Sequence, residues 1–170
     1  MSGPKHIIGL IGWSGSGKTT LVSDLIPNLI DRGLSVSTMK HTHHDFDMDQ
    51  PGKDSYRHRE AGAEEVLLTS ARRWALLHEL RDEPEYDMEA LIAKMAPVDV
   101  LLIEGFKSHG FPKIEVNRPS RGKSVIARED DTVIAVASDE DIANLNVPLL
   151  DLNDIEAIAE FIVRQIGEPT

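Results

Sequence analysis

The segment Gly12-Trp13-Ser14-Gly15-Ser16-Gly17-Lys18-Thr19 constrains this chain more than any other, because it dictates what must stand on either side of it. Two glycines separated by four residues and followed by Lys and Thr allow a backbone that curls, turning successive N–H groups inward toward an anion. A helix beginning near Lys18 would add its positive end to that ring. Lys18 would bring a full charge to the β- and γ-phosphates of a nucleotide, and Thr19 a hydroxyl to Mg2+. The flanks agree. His6–Ile11 is a short apolar run that reads as a buried strand. Residues 19–32 carry Leu21, Val22, Leu25, Ile26, Leu29 and Ile30, which make one wide helical stripe. Strand, glycine loop and helix in that order separate a phosphate-binding loop from a flexible Gly/Ser turn. The candidate nucleotide contacts are therefore Gly12, Trp13, Ser14, Gly15, Ser16, Gly17, Lys18, Thr19 and Thr20.

Beyond that loop, Pro27 should kink the first helix and Gly33 should stop it. Residues 34–39 read as a second strand, 40–52 as a polar loop and 53–61 as a short helix. Apolar runs at 66–69 and 74–77 flank a polar turn and predict a hairpin. A helix over 87–95 and a strand over 98–103 follow. Further strands are expected at 113–116, 133–137 and 149–150, with a closing helix over Ile155–Ile166. Strands alternating with helices predict an α/β fold. With the glycine loop it is a three-layer α/β/α P-loop NTPase arrangement, a mostly parallel sheet with an added antiparallel hairpin. No repeat or linker interrupts the chain, so residues 1–170 read as a single nucleotide-binding domain. Open α/β sheets bind ligands at the carboxyl ends of their strands, which places the chemistry after Ile11, Met39 and Ile103.

Composition narrows the partners. The formal charge is −11, from 18 basic and 29 acidic side chains. Such a surface repels a phosphate backbone, so no nucleic-acid partner is expected. No apolar run approaches the ~20 residues a membrane span needs. Residues 1–5 lead straight into the first strand, without a signal peptide. A cytoplasmic location with no membrane contact is the expectation. The chain has no cysteine, which excludes disulfides and thiolate metal sites.

The acidic candidates fall in two places. The apolar run at 98–103 ends in Glu104, close in sequence order to where Mg2+ or an attacking water would be held. Asp99 stands at the far end of the same strand. The second place is Lys40-His41-Thr42-His43-His44-Asp45-Phe46-Asp47-Met48-Asp49. It reads as a solvated loop, as a switch near the γ-phosphate, or as a transition-metal site of its own, and its place after the second strand favours the switch. Base preference stays open between GTP and ATP. Asn117-Arg118-Pro119-Ser120 looks like the start of a guanine-reading Asn-Lys-x-Asp but lacks the acid, and Asp139 could stand in for it. A small-molecule kinase is the alternative reading; Arg57, Arg59, Arg72 and Arg73 would then supply its cationic lid.

Taken together, the glycine loop, Lys40-His41 with His43-His44, Phe46-Asp47-Met48-Asp49, Pro51-Gly52-Lys53-Asp54-Ser55 and Glu104-Gly105-Phe106-Lys107 resemble the MobB family, the molybdopterin-guanine dinucleotide biosynthesis adapter proteins. The resemblance covers nearly the whole chain. It implies a homodimeric GTP-binding adapter with weak Mg2+-dependent GTPase activity. Its partner would be the molybdenum cofactor guanylyltransferase (MobA-type), with molybdopterin or its carrier proteins as further partners. In that reading Lys18, Glu104, Asp47 and Asp49 serve catalysis, and Thr19, Glu104 and Asp47 serve the metal.

Overall fold

The computed structural model of the chain describes residues 3–42 and 46–167. Two compact units emerge, one from residues 1–41 and 92–170, the other from residues 42–91.

The first unit is built on a six-stranded sheet. In chain order its strands are β1 (His6–Ile11), β2 (Val36–Lys40), β5 (Val100–Glu104), β6 (Lys113–Asn117), β7 (Val133–Ser138) and β8 (Leu149–Asp151). Across the sheet they lie β2-β5-β1-β6-β7-β8, and each neighbouring pair is parallel. The expected mostly parallel sheet is thus parallel throughout. Its central strands are continuous apolar runs because both of their faces are covered, and Val100–Ile103 and Leu10–Ile11 are fully buried.

Helices α1 (Lys18–Asp31) and α4 (Ile155–Ile166) pack against each other and against one face of this sheet. Leu21, Leu25 and Leu29 of α1 meet Ile158 and Ile162 of α4 in a core shared with Leu10, Leu102, Val116 and Ala137. α1 runs unbroken through Pro27. The proline frees the carbonyl of Ser23, which lies on an exposed stretch that water can satisfy. Gly33 stops the helix as expected. It takes φ +85, and the Leu34 N–H reaches back to the Leu29 carbonyl at 3.2 Å. α4 begins where Asp154 accepts a hydrogen bond from the Ala157 N–H at 3.0 Å. Strand bounds differ from the sequence expectation by a residue or two, as element ends commonly do.

The second unit holds α2 (Asp54–Glu60) and the predicted hairpin, formed by β3 (Glu65–Thr69) and β4 (Trp74–His78). The hairpin is antiparallel, with Leu67 opposite Leu76 and Glu65 opposite His78. α3 (Met88–Ala93) lies where the chain returns to the first unit and is shorter than expected. Among the described residues no helix is long and apolar enough to cross a membrane.

Candidate nucleotide-binding site

β1 delivers the chain into the glycine loop, and the loop's glycines answer to close approach. At Gly12, with φ +148, a Cβ would lie 2.3 Å from the Val116 carbonyl oxygen and 2.8 Å from Ser16 Oγ. Only a residue without a side chain fits there. Gly17 caps α1 in the left-handed region, at φ 105 and ψ 13. No acidic residue occupies the first turn of α1, so its positive end is not neutralised from within. Ser16 Oγ is buried and has no hydrogen-bond partner among the described residues. A buried hydroxyl without a partner, beside a helix start whose own first turn holds no acid, suits an anion.

Lys18 reaches back over this loop. Its ammonium donates to the Gly12 and Trp13 carbonyls, both at 3.1 Å. Burial lowers its pKa below the usual lysine value; Glu104 opposes that shift, while Lys107 and Lys40 add to it. The next residue, Thr19, donates its hydroxyl to Glu104 Oε1 at 2.8 Å. Glu104 ends β5 beside Lys40 at the end of β2, and the Lys40 ammonium lies 3.2 Å from the same carboxylate oxygen. Lys18, Thr19 and Glu104 are therefore brought together at the carboxyl ends of β1 and β5. Thr19 Oγ1 and Glu104 Oε1 are two hard oxygen donors within reach of one small cation, the donor chemistry that Mg2+ takes. The Lys40 ammonium already shows that a positive charge is accommodated there.

Two arginines to which the sequence assigns no role at the phosphate loop lie on it. Arg118, just after β6, donates from Nε to the Ser16 carbonyl at 3.0 Å and pairs through Nη1 with Asp139. The guanidinium of Arg121 lies over Gly15, where an added Cβ would meet three of its atoms at 2.9 to 3.0 Å. Lys107 and Lys123 stand over the Trp13 ring, 4.2 and 5.7 Å from its centroid, and the Trp13 N–H donates to the Ser124 carbonyl at 2.9 Å. As a fragment of Asn-Lys-x-Asp, residues 117–120 suggest base recognition. In the structure Asn117 is buried and donates to Glu115 at 2.9 Å, and Arg118 faces the loop. The available signal was topological: β6 neighbours β1, so residues following β6 arrive beside residues following β1. A cleft of about 210 Å3 opens beside Gly17 and Thr20, bounded by Arg118, Leu152 and Asn153.

Asp47 and Asp49 belong to the second unit and are gathered by Arg59. Its guanidinium lies 2.9 Å from Asp47 and 3.3 Å from Asp49, and it also pairs with Glu79 at 2.7 Å. Asp49 further accepts from the Ser55 hydroxyl at 2.8 Å. The Asp49 backbone N–H and the Arg59 side chain lower the Asp47 pKa. Arg59, one of the cations a kinase lid would draw on, is engaged with these carboxylates. His43, His44 and Asp45 lie outside the described residues. Among the described residues no three His, Asp or Glu converge as a metal-ligand set. Asp99 is structural: it binds Lys5 at 2.8 Å and Ser35 at 2.6 to 2.8 Å, contacts that hold its carboxyl far below the usual range.

A parallel sheet whose first strand passes through a glycine loop into a helix defines the P-loop NTPase class of α/β fold. Comparison with known proteins takes the assignment further. The family model described as "Molybdopterin guanine dinucleotide synthesis protein B" (MobB) matches residues 7–139, and the chain belongs to that family. It is 47% identical over 164 residues to the molybdopterin-guanine dinucleotide biosynthesis adapter protein of Escherichia coli (strain K12), covering 93% of this chain and 91% of that protein. The adapter protein of Haemophilus influenzae is 41% identical, with 92% and 86% covered. The crystal structure of molybdopterin-guanine biosynthesis protein B (mobB) superposes with a TM-score of 0.69 at 26% identity, over 94% of this chain and 99% of that one.

Proposed function

We propose that the chain is a GTP-binding adapter in molybdopterin-guanine dinucleotide biosynthesis, acting as a homodimer beside the guanylyltransferase and hydrolysing GTP slowly. The observation that carries the nucleotide part is the convergence of Lys18, Thr19 and Glu104 at the N-terminus of α1. The adapter role rests on family membership and on the names its relatives carry. Residues 12–20 would wrap the phosphates with their N–H groups. Lys18 would exchange its two loop carbonyls for β- and γ-phosphate oxygens. Thr19 and Glu104 would hold Mg2+, with Lys40 withdrawing from the carboxylate. Mg2+ supplies charge neutralisation of the phosphate oxygens. The cleft beside Gly17 and Thr20 adjoins the loop and would take the nucleoside.

The chain's overall charge is −11, yet Lys18, Lys40, Lys107, Arg118 and Lys123 all gather around one loop. Such local reversal focuses an anionic ligand where the global field would repel it. A hydrogen bond to a charged group contributes ~1.5–3 kcal/mol, about 10- to 150-fold in affinity. Lys18→Ala should weaken GTP binding by about that factor while leaving the circular dichroism spectrum unchanged. Calorimetric titration that finds wild-type affinity in the folded variant rejects the assignment.

A further inference from the structure

The two arginines that follow β6 differ in what they are free to do. Arg118 is committed twice, to the Ser16 carbonyl and to Asp139. The Arg121 guanidinium lies across Gly15 and makes no hydrogen bond or ion pair among the described residues, although its backbone N–H donates to the Arg118 carbonyl at 3.0 Å. Its backbone is nonetheless well held. A 3-10 turn over Pro119–Arg121 begins with a proline and closes with the Gly122 N–H on the Pro119 carbonyl at 2.9 Å. Gly122 leaves that turn in the left-handed region at φ 63. A rigid turn thus presents an unpaired guanidinium to the rim of the phosphate loop, in a chain with 11 more acidic than basic side chains (29 against 18). Arg118 fastens the base of the same turn to the loop.

We infer that Arg121 contacts the terminal phosphate of the bound nucleoside triphosphate and stabilises the charge that develops there during hydrolysis. The inference rests on the nucleotide reading above. In the reaction a water oxygen bonds to the γ-phosphorus, and the bond from that phosphorus to the β–γ bridging oxygen breaks. The bridging oxygen keeps the electron pair as part of the diphosphate, and the water's protons end on inorganic phosphate and solvent. Arg121 takes no proton. It lies beside the loop that surrounds the β- and γ-phosphates, and its planar fork matches two phosphate oxygens at once. A diphosphate lacks the γ-phosphate that the guanidinium would hold, so its contribution separates the two nucleotide states.

The test compares wild type with Arg121→Ala, Arg121→Gln and Arg121→Lys. The side chain is exposed, so its loss leaves no cavity, and Arg121→Gln keeps chain length without charge. Affinities for GDP and for a non-hydrolysable GTP analogue are measured with Mg2+, together with single-turnover GTP hydrolysis and formation of a GDP–aluminium fluoride complex. Arg121→Ala and Arg121→Gln should keep GDP affinity within about twofold while losing about tenfold or more in analogue affinity and in hydrolysis. They should also fail to form the aluminium fluoride complex, and Arg121→Lys should restore part of each loss. Variants that keep both the triphosphate preference and the aluminium fluoride complex overturn the inference and leave the nucleotide site standing. If wild type binds neither nucleotide, the nucleotide reading falls and takes this inference with it. Where wild type binds but hydrolyses too slowly to measure, the affinity ratio and the fluoride complex decide.

Discussion

Glutamine at position 104 keeps the shape of the glutamate and removes its charge, which isolates what the carboxylate does beside Thr19 and Lys40. If Thr19 and Glu104 hold the metal, Glu104→Gln should lower GTP affinity in Mg2+ by about tenfold and change affinity without Mg2+ far less. Paired titrations with and without the metal read this directly; equal losses in both would assign the carboxylate to loop structure alone. At this scale the sequence was legible where the chemistry is contiguous. Residues 12–19 carry their function in their own spacing, and Glu104 announces itself as an acid at the end of an apolar run. Arg118 and Arg121 were hidden because their meaning depends on β6 lying next to β1, a pairing more than 100 residues apart in the chain and absent from local pattern.

Two segments of the second unit lead to predictions about elements. The loop before α2 looks, in sequence, like an unanchored polar stretch, yet Asp47 and Asp49 are both drawn onto Arg59 and Asp49 is closed further by Ser55. Sequence hid this because a cation 10 to 12 residues away carries no marker of its target. If the loop is a nucleotide switch, hydrogen exchange over residues 46–53 should differ between apo, GDP-bound and GTP-analogue-bound protein, and Asp49→Asn should shrink the difference. Equal protection in all three states makes it a structural loop. The second segment is the hairpin, where Glu65 accepts a hydrogen bond from His78 at 2.8 Å and raises the histidine pKa above 6.5. A folded-state pKa raised above the unfolded one contributes stability in full below the unfolded value and loses it as pH rises through the folded one. Unfolding of the hairpin unit, followed by Trp74 emission in Trp13→Phe, should therefore be more resistant to urea at pH 6 than at pH 8. Glu65→Gln should flatten that difference.

At the scale of the whole molecule, one face of that hairpin carries a contiguous exposed apolar patch. Leu67, Trp74 and Leu76 are 61%, 70% and 47% exposed. Two strands alone are marginal in water, and an apolar face of this kind is commonly covered by another chain. We expect a homodimer in sedimentation at micromolar concentration, and a monomer when Leu67→Lys and Leu76→Glu are combined. These two face each other across the strands, so the pair keeps the hairpin and puts two charges in the middle of its apolar face. A wild-type monomer would reject the dimer. The sheet order has one more consequence, and it belongs to synthesis. β1 is made first, but its neighbours are β5 and β6, so His6 waits for Val100. At about 5–20 residues per second, the strand that ends in the phosphate loop spends roughly 5 to 20 seconds on the ribosome without either partner. The hairpin, whose two strands are joined by residues 70–73, has both partners present within that interval, so the part of the chain that carries the exposed apolar face can pair before the part that carries the nucleotide loop.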